Sequence, residues 1–211
     1  MGEHAATVFT IGHSVHPESK FVELLRAHQL TAVCDVRSSP YSRYAPQYRK
    51  DALARLLKQS GIAYVFLGRE LGARSEDPRC YVDGRASYER IARSDAFAMG
   101  LERIQQGMES HRVALMCAEK DPLSCHRSIL IAPHLREREI AVQHILEDGT
   151  LEPDDHLQRR LLALFSLPEE NLFEGRNEMV KRAYGLQEQK IAFRLSDDRR
   201  SFVGRGPVQE L

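Results

Sequence analysis

The amino-acid sequence predicts a layered α/β fold with a mostly parallel sheet of about five strands, flanking helices and a helical C-terminal extension. Short apolar runs alternate with amphipathic stretches from position 8 to position 145, and this alternation stops beyond Gly149. Strands separated by helices pair in parallel through right-handed crossovers, so they form one helix-covered sheet. We therefore expect an α/β core over residues 1–148, a helical extension over 149–196 packed on it, and a flexible tail over 197–211.

Each strand is predicted from a short apolar run bounded by polar residues or glycine. Each helix is predicted from apolar residues at helical spacing, as in residues 50–59, where Leu53, Leu56 and Leu57 share one face and Gly61 ends the helix. The predicted strands cover residues 8–11, 31–36, 62–67, 113–117 and 140–145. The predicted helices cover residues 17–28, 50–59, 86–108, 125–138, 154–165 and 169–189.

Charge and composition argue against several classes of function. Lys plus Arg and Asp plus Glu both number 30, so no overall field draws the chain to nucleic acid or to anionic membranes. No apolar run approaches the roughly 20 residues of a membrane span, and residues 1–6 lack the features of a secretory signal. We expect a cytoplasmic protein without a membrane partner, in which the cysteines stay reduced. The sequence leaves the oligomeric state open.

The most informative segment runs from Cys117 to Arg127. It joins a predicted buried strand to a predicted helix, and it carries two thiols, a carboxylate, an imidazole and a guanidinium. Reactive side chains at the end of a parallel strand lie at the carboxyl edge of the sheet, where open α/β folds bind their ligands. We predict Cys117, Glu119, Cys125 and His126 as catalytic residues and Arg127 as a substrate-binding residue.

Two other strand ends carry further candidates. His13 and Ser14 follow the first strand, where an imidazole could transfer a proton and a hydroxyl could bind substrate. Asp35 and Arg37 follow the second strand and point to the same face, so they could form an ion pair or hold a ligand together. We predict His13 as a catalytic residue, and Ser14, Asp35 and Arg37 as substrate-binding residues.

A first interpretation of the segment is a thiol active site. Either Cys117 or Cys125 would be the nucleophile, because the start of a helix and neighbouring cations lower the pKa of a thiol. The spacing does not match the cysteine phosphatase loop, in which five residues separate the cysteine from the arginine. It also lacks the compact glycine-rich loop of a rhodanese.

A second interpretation is a metal site. Cys117, Cys125 and His126 could bind zinc or another divalent metal, and His13 or Asp35 from a neighbouring strand end could add a fourth ligand. Seven residues separate the two cysteines, which is wider than the spacing of usual structural zinc motifs.

A third interpretation is structural. In it Cys117 is a buried strand terminus, Glu119 pairs with Arg127, and His126 forms hydrogen bonds with the loop backbone. The sequence alone does not choose among the three interpretations.

The region from position 37 to position 74 is strongly basic. It contains eight Lys or Arg against two Asp or Glu, and residues 40–49 interleave arginine with tyrosine and proline. Arginine side chains suit phosphate or carboxylate groups, and tyrosine rings stack on bases. We therefore add Ser42 and Arg43 to the predicted substrate-binding residues, with an anionic small molecule or nucleic acid as the partner.

Five motifs of this chain occur in an order that is typical of one family. They are Thr10-Ile-Gly-His-Ser14, Asp35-Val-Arg-Ser38, Ser42-Arg43 with Pro46, Leu71-Gly72, and Cys117-Ala-Glu119 with Cys125-His-Arg127. In this order they resemble the "domain of unknown function 488" family, whose hallmark is the cysteine pair with Cys-His-Arg. Residues 162–184 resemble the extension of its longer members. The resemblance implies an α/β fold and a site at these motifs, and it brings no established reaction.

Taken together, the sequence favours an enzyme with a pocket of cysteine, histidine and arginine side chains at the carboxyl edge of the sheet. Its substrate is expected to be anionic, either phosphate-bearing or nucleotide-like, and its reaction class is left open. The first alternative is a non-catalytic nucleic-acid-binding module that uses the Arg and Tyr loop over 37–49. The second alternative is a metal-binding protein with Cys and His ligands.

Overall fold

A computed structural model describes residues 6–42, 44–170 and 174–195 of the protein. Arg43 and the tail predicted over 197–211 lie outside the described residues. The predicted alternation of strands and helices is found, and it builds a six-stranded sheet and a separate two-stranded hairpin. The strands are β1 (Thr7–Gly12), β2 (Ala32–Asp35), β3 (Ala63–Phe66), β4 (Tyr81–Val82), β5 (Arg85–Ala86), β6 (Val113–Cys117), β7 (Ala141–Ile145) and β8 (Leu151–Pro153).

The six-stranded sheet has the order β3-β2-β6-β1-β7-β8. The first five of these strands are parallel, whereas β8 pairs antiparallel with β7 at the edge. The expectation that strands end before Gly149 is therefore wrong, and the sheet has one strand more than predicted. Gly149 has a positive φ of 89° in the tight turn that returns the chain to β7. Three residues ending in proline are too short to show a strand periodicity.

Helices cover both faces of the sheet, and three of them differ from the prediction. The predicted helix over 86–108 is two helices, because Ser94 caps a new one with its hydroxyl on the Phe97 amide. The predicted helix over 125–138 is a π-helical turn, Arg127–Ile131, followed by a short α-helix, and the last helix begins at Arg176. The α-helices are α1 (Glu18–Ala27), α2 (Lys50–Gln59), α3 (Gly68–Leu71), α4 (Tyr88–Ala92), α5 (Asp95–Met108), α6 (Ala132–Arg136), α7 (Asp154–Leu164) and α8 (Arg176–Ile191).

The alternation of side chains along the strands divides the core into two clusters. On β6, Ala114 and Met116 face the cluster that α1 and α2 cover, whereas Leu115 and Cys117 face the larger cluster on the opposite side. Helices α3 to α8 build that larger cluster, and Leu157 and Met179 of the C-terminal helices belong to it. The described part of the extension therefore packs on the same core as the rest of the sheet.

The carboxyl end of β6 lies at a switch point of the sheet. Strand β6 lies between β2 and β1 in the sheet. Helices α1 and α2, which follow β1 and β2, cover one face of the sheet, whereas α6, which follows β6, covers the other face. In parallel sheets, a crevice forms where neighbouring connections leave to opposite faces, and ligands bind there. Such a crevice is therefore expected beside Cys117, the last residue of β6. Among the described helices, none has the length and apolarity needed to cross a bilayer.

Candidate functional site

The ends of β1 and β6 lie in close contact at the switch point. The amide of His13 donates to the Cys117 carbonyl at 2.9 Å, and the amide of Ser14 donates to the Ala118 carbonyl at 2.9 Å. A Cβ atom on Gly12 would lie 1.9 Å from the Glu119 carbonyl oxygen. Only glycine fits at position 12. This close approach brings His13 and Ser14, which follow β1, beside the residues that follow β6.

Three side chains converge beneath this edge. The Sγ atoms of Cys117 and Cys125 and the Nδ1 atom of His126 all lie within 4.8 Å of one another. His126 Nδ1 is 3.6 Å from Cys117 Sγ and 3.9 Å from Cys125 Sγ. All three residues are buried. We call these three residues the thiol cluster.

The ring of His126 has a defined tautomer. Its Nε2 atom lies 3.0 Å from the carbonyl oxygen of Val36, which only accepts hydrogen bonds, so Nε2 carries the hydrogen. In the neutral ring, Nδ1 then has a lone pair, and this lone pair faces the two sulfur atoms. The main chain at the end of β2 therefore orients His126 toward the thiols.

An irregular backbone brings Cys125 back to the end of β6. A 3-10 turn, Pro122–Ser124, is capped by Asp121, whose carboxylate accepts from the Leu123 amide at 3.0 Å. The Cys125 carbonyl then accepts from the amides of Ser128 and Ile129, both at 3.1 Å, and so begins the next turn. That turn is a π-helix, a rare form that often occurs at functional sites.

Glu119 lies beside the thiol cluster. The thiol of Cys125 donates to the Oε2 atom of Glu119, with an Sγ–Oε2 distance of 3.1 Å. Burial and the neighbouring Cys125 raise the pKa of Glu119. Burial also raises the pKa of Cys117, whereas for Cys125 the opposing effect of burial is outweighed by the hydrogen bond from Cys117 and by the charge of Arg127. The pKa of Cys125 is therefore lowered.

Arg127 holds the loop between the two cysteines. It is fully buried, with 0% of its surface exposed, and it donates to the carbonyl oxygens of Glu119 at 2.8 Å and Lys120 at 3.3 Å. The structural interpretation placed Arg127 against the Glu119 carboxylate, but that carboxylate accepts from Cys125 instead. The substrate-binding role of Arg127 stays a prediction.

Asp35 and Arg37 form an ion pair, which is one of the two arrangements that their shared face allows. Arg37 donates to both carboxylate oxygens of Asp35, at 2.8 and 2.7 Å, and to the Tyr48 carbonyl at 2.9 Å. The hydroxyl of Tyr64 donates to Asp35 at 2.9 Å. Asp35 and Arg37 are both buried, so this is an internal support at the end of β2 as well as part of the site.

His13 is held between this ion pair and the main chain. Its Nε2 atom accepts from Arg37 at 3.0 Å, its Nδ1 atom lies 2.7 Å from the Ser14 carbonyl, and its ring stacks on Tyr48. Burial and the charge of Arg37 lower the pKa of His13 to about 4. Both nitrogen atoms are therefore in use, and a proton-transfer role for His13 stays a prediction that requires its contact with Arg37 to open. Neither His13 nor Asp35 joins the thiol cluster as a fourth ligand among the described residues.

A cavity of about 700 Å³ opens over this edge of the sheet. The lining residues are contacted from behind by Asp35, Cys125 and Arg127. Ser14, which follows the lining residue His13, adopts a positive φ of 47°. Six residues predicted for the site line the cavity: His13, Arg37, Ser42, Cys117, Glu119 and His126.

Sequence reasoning missed part of this lining. Four further cavity residues are Arg74, Tyr88, Lys190 and Arg194. Lys190 belongs to the last turn of α8, and Arg194 to the segment that follows it. The basic character of residues 37–74 gave some signal for Arg74. No local signal connects positions 190 and 194 with a site near position 117, because only the tertiary fold brings them together.

Comparisons with known proteins agree with the motifs. No curated protein and no solved structure matches the chain significantly. A family model described as "Domain of unknown function DUF488" matches residues 18–132, which include the thiol cluster, Glu119, Asp35 and Arg37. This match covers more than half of the chain. The protein therefore belongs to the DUF488 family.

Proposed function

We propose that this protein is a metal-dependent enzyme that acts on an anionic substrate in the cavity over the thiol cluster. Cys117, Cys125 and His126 would bind one divalent cation, with zinc as the preferred ion. The single observation that carries this proposal is the convergence of two sulfur atoms and one imidazole nitrogen within 4.8 Å.

The distances in the thiol cluster fit tetrahedral coordination. With Zn–S bonds of about 2.3 Å and Zn–N bonds of about 2.0–2.1 Å, a tetrahedron places sulfur and nitrogen about 3.6 Å apart. The observed distances from His126 Nδ1 are 3.6 Å to Cys117 and 3.9 Å to Cys125. Small side-chain movements would therefore bring the three atoms to coordination geometry.

The surroundings of His126 also favour a metal ligand. Histidines that bind metals generally donate their other ring N–H to a carboxylate or a backbone carbonyl, which fixes the tautomer. His126 makes this contact with the Val36 carbonyl. Three protein ligands leave one tetrahedral position unfilled, as in catalytic rather than structural zinc sites. Cys117 and His126 line the cavity, so that position would be accessible to substrate.

The site also contains groups for proton transfer and substrate binding. A bound divalent cation would polarise a substrate oxygen or lower the pKa of a water molecule. Glu119 lines the cavity and lies 3.1 Å from Cys125, so its carboxylate would accept and return a proton. The described lining contains four cationic side chains, of which Arg37 is paired with the buried Asp35, against one lining carboxylate, that of Glu119. An anion is therefore the favoured substrate.

Metal analysis of the purified protein tests the proposal. We expect about one equivalent of zinc in the wild type and a loss of most of it in Cys117→Ser, Cys125→Ser and His126→Asn. Cobalt substitution should give the absorption of thiolate-bound Co²⁺, and its intensity should fall in the cysteine variants. Cys34→Ser provides a matched control, because Cys34 is a buried thiol outside the cluster.

Two results would contradict the metal assignment. One is a wild-type protein that neither contains nor takes up zinc or cobalt, and the other is metal binding that survives all three substitutions. If alkylation of the cysteines alone then abolished turnover, the thiol mechanism would replace the metal mechanism.

A second candidate function is binding of single-stranded nucleic acid, and a specific observation favours it. Tyr41 and Tyr44 are 72% and 94% exposed, and Tyr41 lines the cavity. Exposed aromatic rings beside cations form stacking surfaces for bases. Binding of a labelled oligonucleotide should then fall steeply with salt and weaken at least tenfold in Tyr41→Ala. Salt-independent or absent binding would rule this candidate out.

A further inference from the structure

The last residues of α8 and the segment after it form one wall of the cavity. Lys190, Phe193 and Arg194 line the cavity together with Ile191 and Ala192. We call residues 190–194 the C-terminal strap. The family match ends at position 132, so the strap lies outside the part of the chain that the family model covers.

The strap is fixed in place by the hairpin of β4 and β5. The Ala86 amide donates to the Phe193 carbonyl at 2.9 Å, and the Leu195 amide donates to the Gly84 carbonyl at 2.9 Å. Arg194 pairs with Arg85 as an antiparallel β-bridge. The hairpin turn at Asp83 and Gly84 has positive φ at both residues, as in the tight turns that suit β-hairpins. The strap is thus held as a short additional strand.

Helix α8 links the strap to the thiol-cluster segment. Gln187 is buried and donates to the Leu123 carbonyl at 2.7 Å, and Glu188 accepts from the Tyr88 amide at 2.8 Å. Leu123 lies between the two cysteines of the cluster. The position of Arg194 is therefore tied through α8 to the loop that carries the candidate metal ligands.

The strap adds positive charge to a cavity that has little negative charge. Arg37 is neutralised by Asp35, so it contributes little net charge to a ligand. The guanidinium of Arg74 stacks on the Phe193 ring, 4.4 Å from its centroid, which holds it against the strap. Arg194 is exposed and has no carboxylate partner within the described parts of the chain.

We propose that Lys190 and Arg194 of the strap, together with Arg74, bind a phosphate group of the substrate. This inference rests on the proposed function and specifies its substrate class. Several cations fixed around one cavity suit a doubly charged group, and guanidinium groups form paired hydrogen bonds with phosphate oxygens. Hydroxyl groups of Ser38, Ser39 and Ser42 on the same lining supply further donors. The strap thereby selects phosphate-bearing substrates within a site that the family region builds.

Calorimetric titration of the full-length protein with inorganic phosphate tests this inference. Arg194→Ala should weaken phosphate binding about tenfold or more, since it removes a charge-assisted hydrogen bond. Lys190→Ala should weaken it by a smaller factor. Arg182→Ala is the matched control, because Arg182 is exposed on the same helix and does not line the cavity. Acetate should bind the wild type at least about tenfold more weakly than phosphate does.

Three outcomes would overturn the inference: no measurable phosphate binding by the wild type, unchanged affinity in both strap variants, or equal affinity for acetate and phosphate. Metal content is measured in the same samples, and it should be the same in Arg194→Ala as in the wild type. A protein without metal that still loses phosphate binding in Arg194→Ala would refute the proposed metal and support the strap. A metal-containing protein whose strap variants bind phosphate normally would refute the strap alone.

Discussion

Two buried polar clusters of this protein, each centred on a histidine, differ in what their atoms leave available. In the thiol cluster, His126 uses Nε2 for the Val36 carbonyl and faces the two sulfur atoms with Nδ1. In the second cluster, His144 contacts the Thr10 hydroxyl through Nδ1 at 2.8 Å and the Asp154 carboxylate through Nε2 at 3.1 Å. Arg136, Gln158 and Tyr184 complete this second cluster, which we call the anchor cluster.

The difference shows that residue types alone do not identify a functional site. Thr10, His144 and Asp154 have the side chains of a hydrolytic triad, yet Thr10 and His144 are 0% exposed and each of their polar atoms is paired with a neighbour. The anchor cluster joins β1, β7, α7 and α8, so it attaches the extension to the sheet. The thiol cluster borders a cavity and brings two sulfur atoms and one imidazole nitrogen within 4.8 Å of one another, as the proposed metal site requires.

Removing the carboxylate charge of the anchor cluster should have the largest effect on stability. Asp154→Asn removes the buried ion-pair partner of Arg136, whose side chain is 31% exposed, and this should lower the free energy of unfolding by about 3 kcal/mol. Urea denaturation followed by circular dichroism measures the change. A loss below about 1 kcal/mol would show that the anchor cluster does not hold the extension.

A substitution at Gly12 tests how closely the end of β1 must approach the chain at Glu119. The same strand carries Thr10 of the anchor cluster. Gly12→Ala places a methyl group against the Glu119 carbonyl, and we expect a loss of about 1–3 kcal/mol. Gly185→Ala is the control, since its added methyl group meets no atom within 4 Å and helical alanine should stabilise by up to about 1 kcal/mol. Equal denaturation midpoints for the two variants would contradict the close approach.

The pH dependence of stability should reveal the buried, neutral state of His13. Its pKa is lowered from 6.5 to about 4 by burial and by Arg37, while Asp35 acts in the opposite direction. The unfolded chain therefore binds more protons between these values, and stability falls as the pH drops below 6.5. Between pH 7 and pH 5 we expect a loss of about 2 kcal/mol.

Comparison with variants isolates this contribution of His13. His13→Asn should remove most of the loss between pH 7 and pH 5, whereas His111→Asn, which changes an exposed histidine, should keep it. Denaturation midpoints at the two pH values provide the measurement. Identical pH dependence in all three proteins would mean that His13 is charged in the folded state.

The smallest effect on stability is expected at Glu119, whose carboxylate lies beside the thiol cluster. Glu119→Gln keeps the size of the side chain and disturbs a contact with Cys125, so the loss should stay below about 1 kcal/mol. Metal content should also be unchanged, because Glu119 is not one of the three ligands. A loss as large as that of Asp154→Asn would place Glu119 among the structural groups and contradict its assignment to proton transfer.

Much of the fold could be predicted because its signals are local. The alternation of apolar runs with amphipathic helices led to a mostly parallel sheet. All five predicted strands lie within one residue of the observed bounds at both ends, and the strand over 113–117 matches fully. The pairing of Asp35 with Arg37 followed from the two-residue repeat of a strand. Their shared orientation is set by neighbouring backbone geometry, so no distant part of the chain was needed.

Other features had no local signal. The edge strand β8 has only three residues, and the hairpin of β4 and β5 has two residues in each strand. The π-helical turn Arg127–Ile131 lies inside the predicted helix over 125–138, because local apolar spacing does not distinguish a π-helical turn from a regular α-helix. Such features form because surrounding packing compensates for their weak local preferences.

The sequence by itself determined the α/β class, the family and the strand ends at which the candidate site is found. Parallel strands share one direction, so residues that follow them must lie at one edge wherever each strand is placed. Tertiary structure alone decided the order of the strands and the meeting of Cys117 with Cys125 and His126. It also brought Arg194 to a cavity whose other walls are formed by residues far away in the chain, because contacts between distant segments depend on how whole elements pack.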